Sequence, residues 1–406
     1  MLKSETISEG NFSDYARDNE TIFLNVISMK QRVLFTVDSL YNGGTEKSLL
    51  DITSRFTRIN PVFCCFYQHR QLLADYERVG LKVHFLGMEK PYGFLKAAEF
   101  LDNVLKQENP HLVIGHLLRS ELISRWVCHR RKYPILGTFV NDTYSPAAYA
   151  ILNTKRKLKT NFFRCLNRVS AKWCTHFISN SSSIGLSNAA ALGIDSNKIS
   201  VIPRGRDETI YHPGAAQRNG PFNTILNVAR TIERKGQQEL IHGFARIAPD
   251  FPGVNLQIAG DGTYRPSLEA EVKRLGMNDR VRFLGNVTNI PELLRQADVF
   301  VFPSHYEGFS GALIEAMLTG MPIIASDIPM NLEAIEDGKT ALTFPVKDAD
   351  ACAERIRWCL ENPDKARQLG QAAREKALRC FTLDRVAKQF EDLLLELLER
   401  FGRRNS

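Results

Sequence analysis

The stretch from Asp298 to Ala325 leaves this chain few folds to choose from. Two apolar runs, Asp298-Val-Phe-Val-Phe302 and Ile323-Ile-Ala325, flank the segment Glu307-Gly-Phe-Ser-Gly-Ala-Leu-Ile-Glu315-Ala-Met-Leu-Thr-Gly-Met-Pro322. Both runs are too short, and too rich in β-branched and aromatic residues, to be helices. Each is bounded by proline, so both read as buried parallel strands. Gly311 to Thr319 carries good helix formers, with Gly320 at the stop and Pro322 beyond it. That makes one βαβ unit with a turn at the carboxyl end of its first strand. In open α/β sheets this edge takes the ligand, and a helix amino terminus there offers free N–H groups to a phosphate.

Two carboxylates frame the turn, Glu307 on the loop and Glu315 about one turn into the helix. The second position suits the paired hydroxyls of a ribose, the first a sugar ring beside the phosphate. A surface glutamate and an ordinary helical one share this spacing, so spacing alone decides nothing. The whole stretch, however, closely resembles the E-G-F-x-x-x-x-x-E-A-M-x-x-G-x-P signature of family 4 glycosyltransferases, which have the GT-B fold. The resemblance implies two facing Rossmann-like domains with a nucleotide-sugar donor in the cleft. It implies transfer of a hexosyl-type group with retained anomeric configuration, no cofactor and no metal. By the same resemblance Glu315 holds ribose and Glu307 the donor sugar, while N–H groups around Ser310 and Gly311, beside Gly308 and Phe309, meet the diphosphate.

A chain of 406 residues is long enough for two α/β domains. Hydrophobic content of 44% and charged content of 24% are ordinary for a globular protein. No run reaches the roughly eighteen apolar residues of a membrane span. The amino terminus, Met1-Leu-Lys-Ser-Glu-Thr, lacks an apolar core, so no signal peptide is expected and the location reads as cytoplasmic. The eight cysteines show no metal spacing and read as reduced core residues. The net charge of +8 points to an anionic partner without naming it.

Residues 1–30 carry no usable pattern and are expected to be a disordered extension. The acceptor-side domain is expected over 31–212, the donor domain over 213–382, and a helix crossing back to the first domain over 383–406. The first strand ends at Val37, and Tyr41-Asn-Gly-Gly-Thr-Glu46 follows. Gly43 and Gly44 would let backbone approach a phosphate, and the segment is similar to the family's G-G-x-E loop. Short apolar runs at Val62–Tyr67, Val83–Leu86, Leu112–Gly115 and Ile135–Phe139 continue a doubly wound pattern. His116 ends one of these strands and Asn141 the turn after another, which marks both as candidates near sugar and acceptor. Relatives often carry a histidine at the second place, where this chain has Val140-Asn141.

Between Glu121 and Asp195 the only acid is Asp142. Within that span a helix opened by Lys155-Arg-Lys-Leu-Lys159 separates Leu158, Phe162, Cys165, Leu166, Val169 and Trp173 from Lys157, Arg164, Arg168 and Lys172. Either the apolar stripe is core and the cations are merely solvated, or the helix meets anionic headgroups or an anionic acceptor at the inner face of a membrane. In the second half, Arg230 and Lys235 stand five apart on the turn after Thr224–Ala229, in a segment similar to the family's G-R-x-x-x-x-K-G motif. Two such cations can converge on a diphosphate and stabilise charge on a departing nucleotide. Arg204-Gly-Arg206 replaces the family's usual Asn-Gly-Val at the domain crossing. Asp348-Ala-Asp350 could mimic a metal–diphosphate site but reads as a helix cap.

The function implied is glycosyl transfer to a glycan or lipid-linked acceptor, in surface polysaccharide or lipopolysaccharide synthesis. Two other readings stay open: a nucleotide-sugar epimerase of the same fold, and a basic nucleic-acid-binding protein. The latter would want base-stacking aromatics, which are not evident, and no nucleic-acid partner is expected.

Overall fold

The computed structural model describes residues 30–41, 43–89, 93–150, 152–214 and 220–402. Residues 1–29 of the expected amino-terminal extension, residues 215–219 near the start of the expected donor domain and residues 403–406 of the expected crossing helix lie outside these residues.

Strand and helix alternate from the start. In the first half β1 (Gln31–Val37), α1 (Gly44–Thr53), β2 (Ile59–Tyr67), α2 (Leu73–Arg78), β3 (Lys82–Met88), α3 (Phe94–Glu108), β4 (Leu112–Gly115), α4 (Leu118–Arg131) and β5 (Ile135–Phe139) follow in turn. Then come α5 (Pro146–Ala150), α6 (Thr154–Ser170), β6 (His176–Ser179), α7 (Ser182–Leu192) and β7 (Ile199–Val201). All seven strands are parallel, in the order β3-β2-β1-β4-β5-β6-β7.

The second half repeats the scheme with β8 (Thr224–Val228), α8 (Gln237–Ile247), β9 (Asn255–Ala259), α9 (Arg265–Arg274), β10 (Val281–Gly285), α10 (Ile290–Gln296) and β11 (Val299–Phe302). It continues through α11 (Gly311–Thr319), β12 (Ile323–Ser326), α12 (Pro329–Ala334) and β13 (Leu342–Phe344). Its parallel sheet has the order β10-β9-β8-β11-β12-β13. The chain closes with α13 (Ala349–Glu361), α14 (Pro363–Cys380) and α15 (Leu383–Phe401).

Both sheets are covered on both faces, which is why their strands are continuous apolar runs. β1 supplies Val33 and Phe35 to one face and Leu34 to the other. The last helix, α15, belongs to the first domain's core, since Val386, Phe390, Leu394 and Leu397 pack with Val33 and Phe35. Phe390 meets Phe35 edge-on at 6.4 Å between ring centroids. Glu391 on α15 accepts from the backbone N–H groups of Thr57, Arg58 and Ile59, which tethers the approach to β2. The return passes through one joint. Arg206 N–H donates to Phe381 O and Leu383 N–H donates to Arg206 O, 3.0 and 2.9 Å. Gly205 sits between them because a Cβ there would stand 2.9 Å from Leu383 Cα.

Asp348 caps α13 by accepting from Ala351 N–H at 2.9 Å, and Asp350 pairs with Arg246. Six of the eight cysteines are buried free thiols, but Cys165 is exposed on α6, so the expectation that all were core residues fails there.

Candidate functional site

Each sheet presents its carboxyl edge to the other. In the second domain β8 runs into the turn carrying Arg230 and the 3-10 segment Glu233–Lys235, while β11 runs into the Glu307 loop. Lys235 Nζ pairs with Glu307 Oε1, and Arg234 Nη1 lies 3.5 Å from Glu307 Oε2. Glu307 is buried. Burial pushes its carboxyl up, but Lys235 and Arg234 outweigh that and hold it below its ordinary value. Lys235 also rides over the Phe302 ring at 5.5 Å, and Arg234 over Tyr306 at 4.8 Å. Arg230 is exposed at the mouth of this cluster. It is close enough to help lower the Lys235 pKa, although burial is the main cause.

The helix end is open for an anion. Ser310 caps α11 without a side-chain hydrogen bond, so the first N–H groups of the helix keep no cap. Gly311 matters by close approach, because a Cβ there would collide with the Arg206 guanidinium. Gly308 does the same against Val140 O, so the Glu307 loop touches the β5 turn of the other domain. Phe309 departs from expectation: its ring is buried against Phe381, 5.5 Å between centroids, so only its backbone can face a donor.

Glu315 is already engaged. Arg206 Nε donates to its Oε1 at 2.7 Å across the domain boundary. Beside it Arg204 Nη1 donates to Gly44 O at 3.3 Å, which brings the Gly43-Gly44 loop to the same place. Burial, and then the neighbouring Arg206, push the Arg204 pKa down to about 10. Glu46 on the same loop is buried and its carboxyl is raised, first by desolvation.

His116 is buried and stacks on Phe35 at 5.9 Å, yet neither ring nitrogen has a described partner. Burial lowers its pKa to about 3, so the ring is neutral. It lines a cavity of about 70 Å³ with Thr138, Val140, Asn180 and Arg204. A second lining wall comes from Ser48 and Leu49 of α1. Asn141 is exposed at the rim. His116 therefore lines the cleft as a neutral ring, able to donate from one nitrogen and accept at the other.

Several site residues had no sequence signal beyond being charged. Arg234 stands next to the expected Lys235. Arg204 and Arg206 stand out in the sequence only as a departure from the family's Asn-Gly-Val. Glu333 carries no motif of its own, yet it clasps the amino end of α7. Its carboxylate accepts from Ser181 Oγ and from the N–H groups of Ser182 and Ser183, all at 2.8 Å. Asp38 receives Ser120 N–H at 2.8 Å, and burial raises its carboxyl.

The basic helix is turned over relative to one of its two readings. Asn167 and Ser170 of α6 face inward, where Asn167 Oδ1 accepts from the fully buried Arg125 and Nδ2 donates to Tyr144. The apolar stripe faces out: Leu158 is 66% exposed, Phe162 61%, Val169 56% and Leu166 41%. At 100° per residue Arg164 and Lys157 lie nearly opposite that stripe, about 155° and 135° from its centre, Arg168 is about 115° away, and Lys172 lies just beyond the end of α6. Arg164 leans over the Tyr149 ring at 6.0 Å.

Comparison with known proteins agrees with this architecture. The model of Glycosyl transferases group 1 matches residues 212–376, and that of Glycosyltransferase Family 4 matches residues 42–209. A glycogen synthase of Mycobacterium tuberculosis is 33% identical over 194 residues, which are 47% of this chain and 46% of that protein. The chain thus spans under half the length of that relative. The phosphatidylinositol N-acetylglucosaminyltransferase gpi3 subunit of Schizosaccharomyces pombe is 22% identical over 366 residues, covering 87% of this chain and 78% of the subunit. The crystal structure of Anabaena HepE in complex with UDP superposes with a TM-score of 0.75 at 21% identity, covering 91% of this chain and 100% of HepE. Between them the two family models take in most of the chain, and the protein belongs to the group 1, family 4 glycosyltransferases, built on the GT-B fold.

Proposed function

We propose that this protein transfers a hexosyl group from a nucleotide sugar to a lipid-linked or glycan acceptor in polysaccharide or glycolipid synthesis, with retention and without a metal. The observation that carries the reading is the convergence of Arg230, Lys235 and the uncapped amino end of α11 at one sheet edge, with Glu307 and Glu315 beside them. Cations and helix N–H groups suit a diphosphate, and they stabilise it most as it leaves. Glu315 takes the ribose hydroxyls once Arg206 releases it, and Glu307 orients Lys235 and meets the sugar. The bond from the sugar's anomeric carbon to the phosphate oxygen breaks, and a bond to the acceptor oxygen forms on the same face. The acceptor's proton passes to the departing phosphate oxygen. No protein nucleophile is assigned. Neutral His116 and exposed Asn141 lie on the acceptor side of this cleft.

Neither the epimerase nor the nucleic-acid reading gains from the comparisons. The membrane is the proposed meeting place, because α6 carries an exposed apolar stripe together with Lys157, Arg164 and Arg168, and Lys172 stands just beyond its end. Among the described residues no helix is long and apolar enough to cross a bilayer.

Nucleotide release from a panel of nucleotide sugars tests the donor site. Arg230→Ala, at an exposed position, should cut turnover at least about tenfold with an unchanged melting temperature. Lys235→Ala should lose more, but it also strands a buried carboxylate and lowers stability. Full turnover in both variants would remove the assignment. Proton NMR of the first-formed product reads the anomeric outcome, and inversion would reject retention.

A further inference from the structure

A second cavity, of about 600 Å³, lies outside the donor cleft between α4, α6 and the start of α3. Its walls are mostly carbon, including Phe94, Leu122, Trp126, Phe163, Leu166 and Trp173. One end opens on the exposed stripe of α6, since Leu166 and Val169 belong to both. The other end reaches Tyr67, the last residue of β2, and Arg119 in the first turn of α4. Arg119 stands 5.7 Å from the Tyr67 ring centroid, at the same carboxyl edge of the sheet that carries His116 and Asp38. The groove thus runs from the surface proposed to meet a membrane to the edge proposed to receive the acceptor.

Charge says what kind of molecule would fill it. Arg119 and Lys159 line the groove, and among the described residues no carboxylate does. An apolar trough lined by two cations complements a molecule with a long carbon chain and an anionic head. A peptide segment would bring backbone groups needing partners that carbon walls do not supply. Burying such a chain is favourable in proportion to the methylenes covered.

We propose that this groove seats the hydrocarbon chain of an acceptor lipid whose head carries phosphate. The proposal rests on the lipid-linked form of the acceptor put forward above. It places the chain along Leu122, Phe163 and Leu166, and the phosphate at Arg119, with Lys159 adding positive charge to the lining. The head then sits at the edge facing the donor.

Two of the chain's three tryptophans, Trp126 and Trp173, line the groove, and Trp358 can be replaced by Phe to leave them as reporters. Dodecyl phosphate, titrated below its micellar concentration, should shift their emission to the blue with saturation. Inorganic phosphate and dodecyltrimethylammonium should not. The double variant Arg119→Glu, Lys159→Glu and the single variant Leu166→Asp should each weaken binding at least tenfold. Phe162→Ser, on the exposed stripe outside the groove, should leave it unchanged. Equal response to inorganic phosphate would mean a bare anion site and overturn the proposal. So would equal response to the cationic chain, no saturation, or a dimer in sedimentation velocity that Leu166→Asp dissociates. Nucleotide-sugar turnover is followed in the same preparations. Turnover without dodecyl phosphate binding overturns the groove alone, and binding without turnover of any nucleotide sugar overturns the transferase reading alone.

Discussion

His116 is a histidine that the fold keeps from being charged. Its folded pKa of about 3 lies below the ordinary value near 6.5, so the unfolded chain binds the proton more tightly. The stability it contributes is therefore present above about pH 6.5 and is lost as pH falls toward 3. Between pH 7 and 5 wild-type protein should lose about 2 kcal/mol more than His116→Gln, as read by chemical unfolding at each pH. Parallel losses would show that the ring is hydrated and titrates freely. The sequence placed His116 at a strand end but could not say whether that end was open or closed. Burial is a property of what packs above it, here Phe35 and the cleft walls, and neighbours distant in sequence leave no local trace. The same limit explains Arg206: its sequence context showed a change from relatives, whereas its partner Glu315 is 109 residues away.

Among elements, α11 and its two flanking strands were legible to within a residue because Gly, Pro and β-branched runs act locally. α6 was legible as a helix but ambiguous in orientation. Periodicity finds a stripe and cannot tell core from surface; what orients α6 is the polar seam of Asn167 and Ser170 on Arg125. Removing that seam tests the account. Asn167→Ala leaves part of the Arg125 guanidinium unpaired and should cost about 1–3 kcal/mol in denaturant unfolding; an effect near zero would mean the seam does not hold the helix. The outer face has its own test. Wild-type protein should pellet with anionic vesicles, not neutral ones, and release as salt rises, because each cation near such a surface contributes about 1 kcal/mol at most and is screened. Replacing Lys157, Arg164, Arg168 and Lys172 with Gln should abolish pelleting while sparing nucleotide-sugar turnover; a variant that pellets normally would clear α6 of the role. Short strands such as β7 and β13 carry only three residues each, too few for a pattern to declare itself.

For the whole molecule, the two sheets are joined by a chain that leaves the first domain and returns to it. α15 is stitched in by its apolar face and by Glu391 on three backbone N–H groups. Glu391→Ala should lower unfolding free energy by about 2–3 kcal/mol, since those groups lose an ionised partner in a buried setting. A calorimetric change under about 0.5 kcal/mol would show that the helix is held by its apolar face alone.

The joint at residue 206 has one more property. Arg206 is bound by its backbone to both sides of the return, and by its guanidinium to Glu315. A ligand hydroxyl that takes Glu315 for itself pulls a rivet from the very strap that links the two halves.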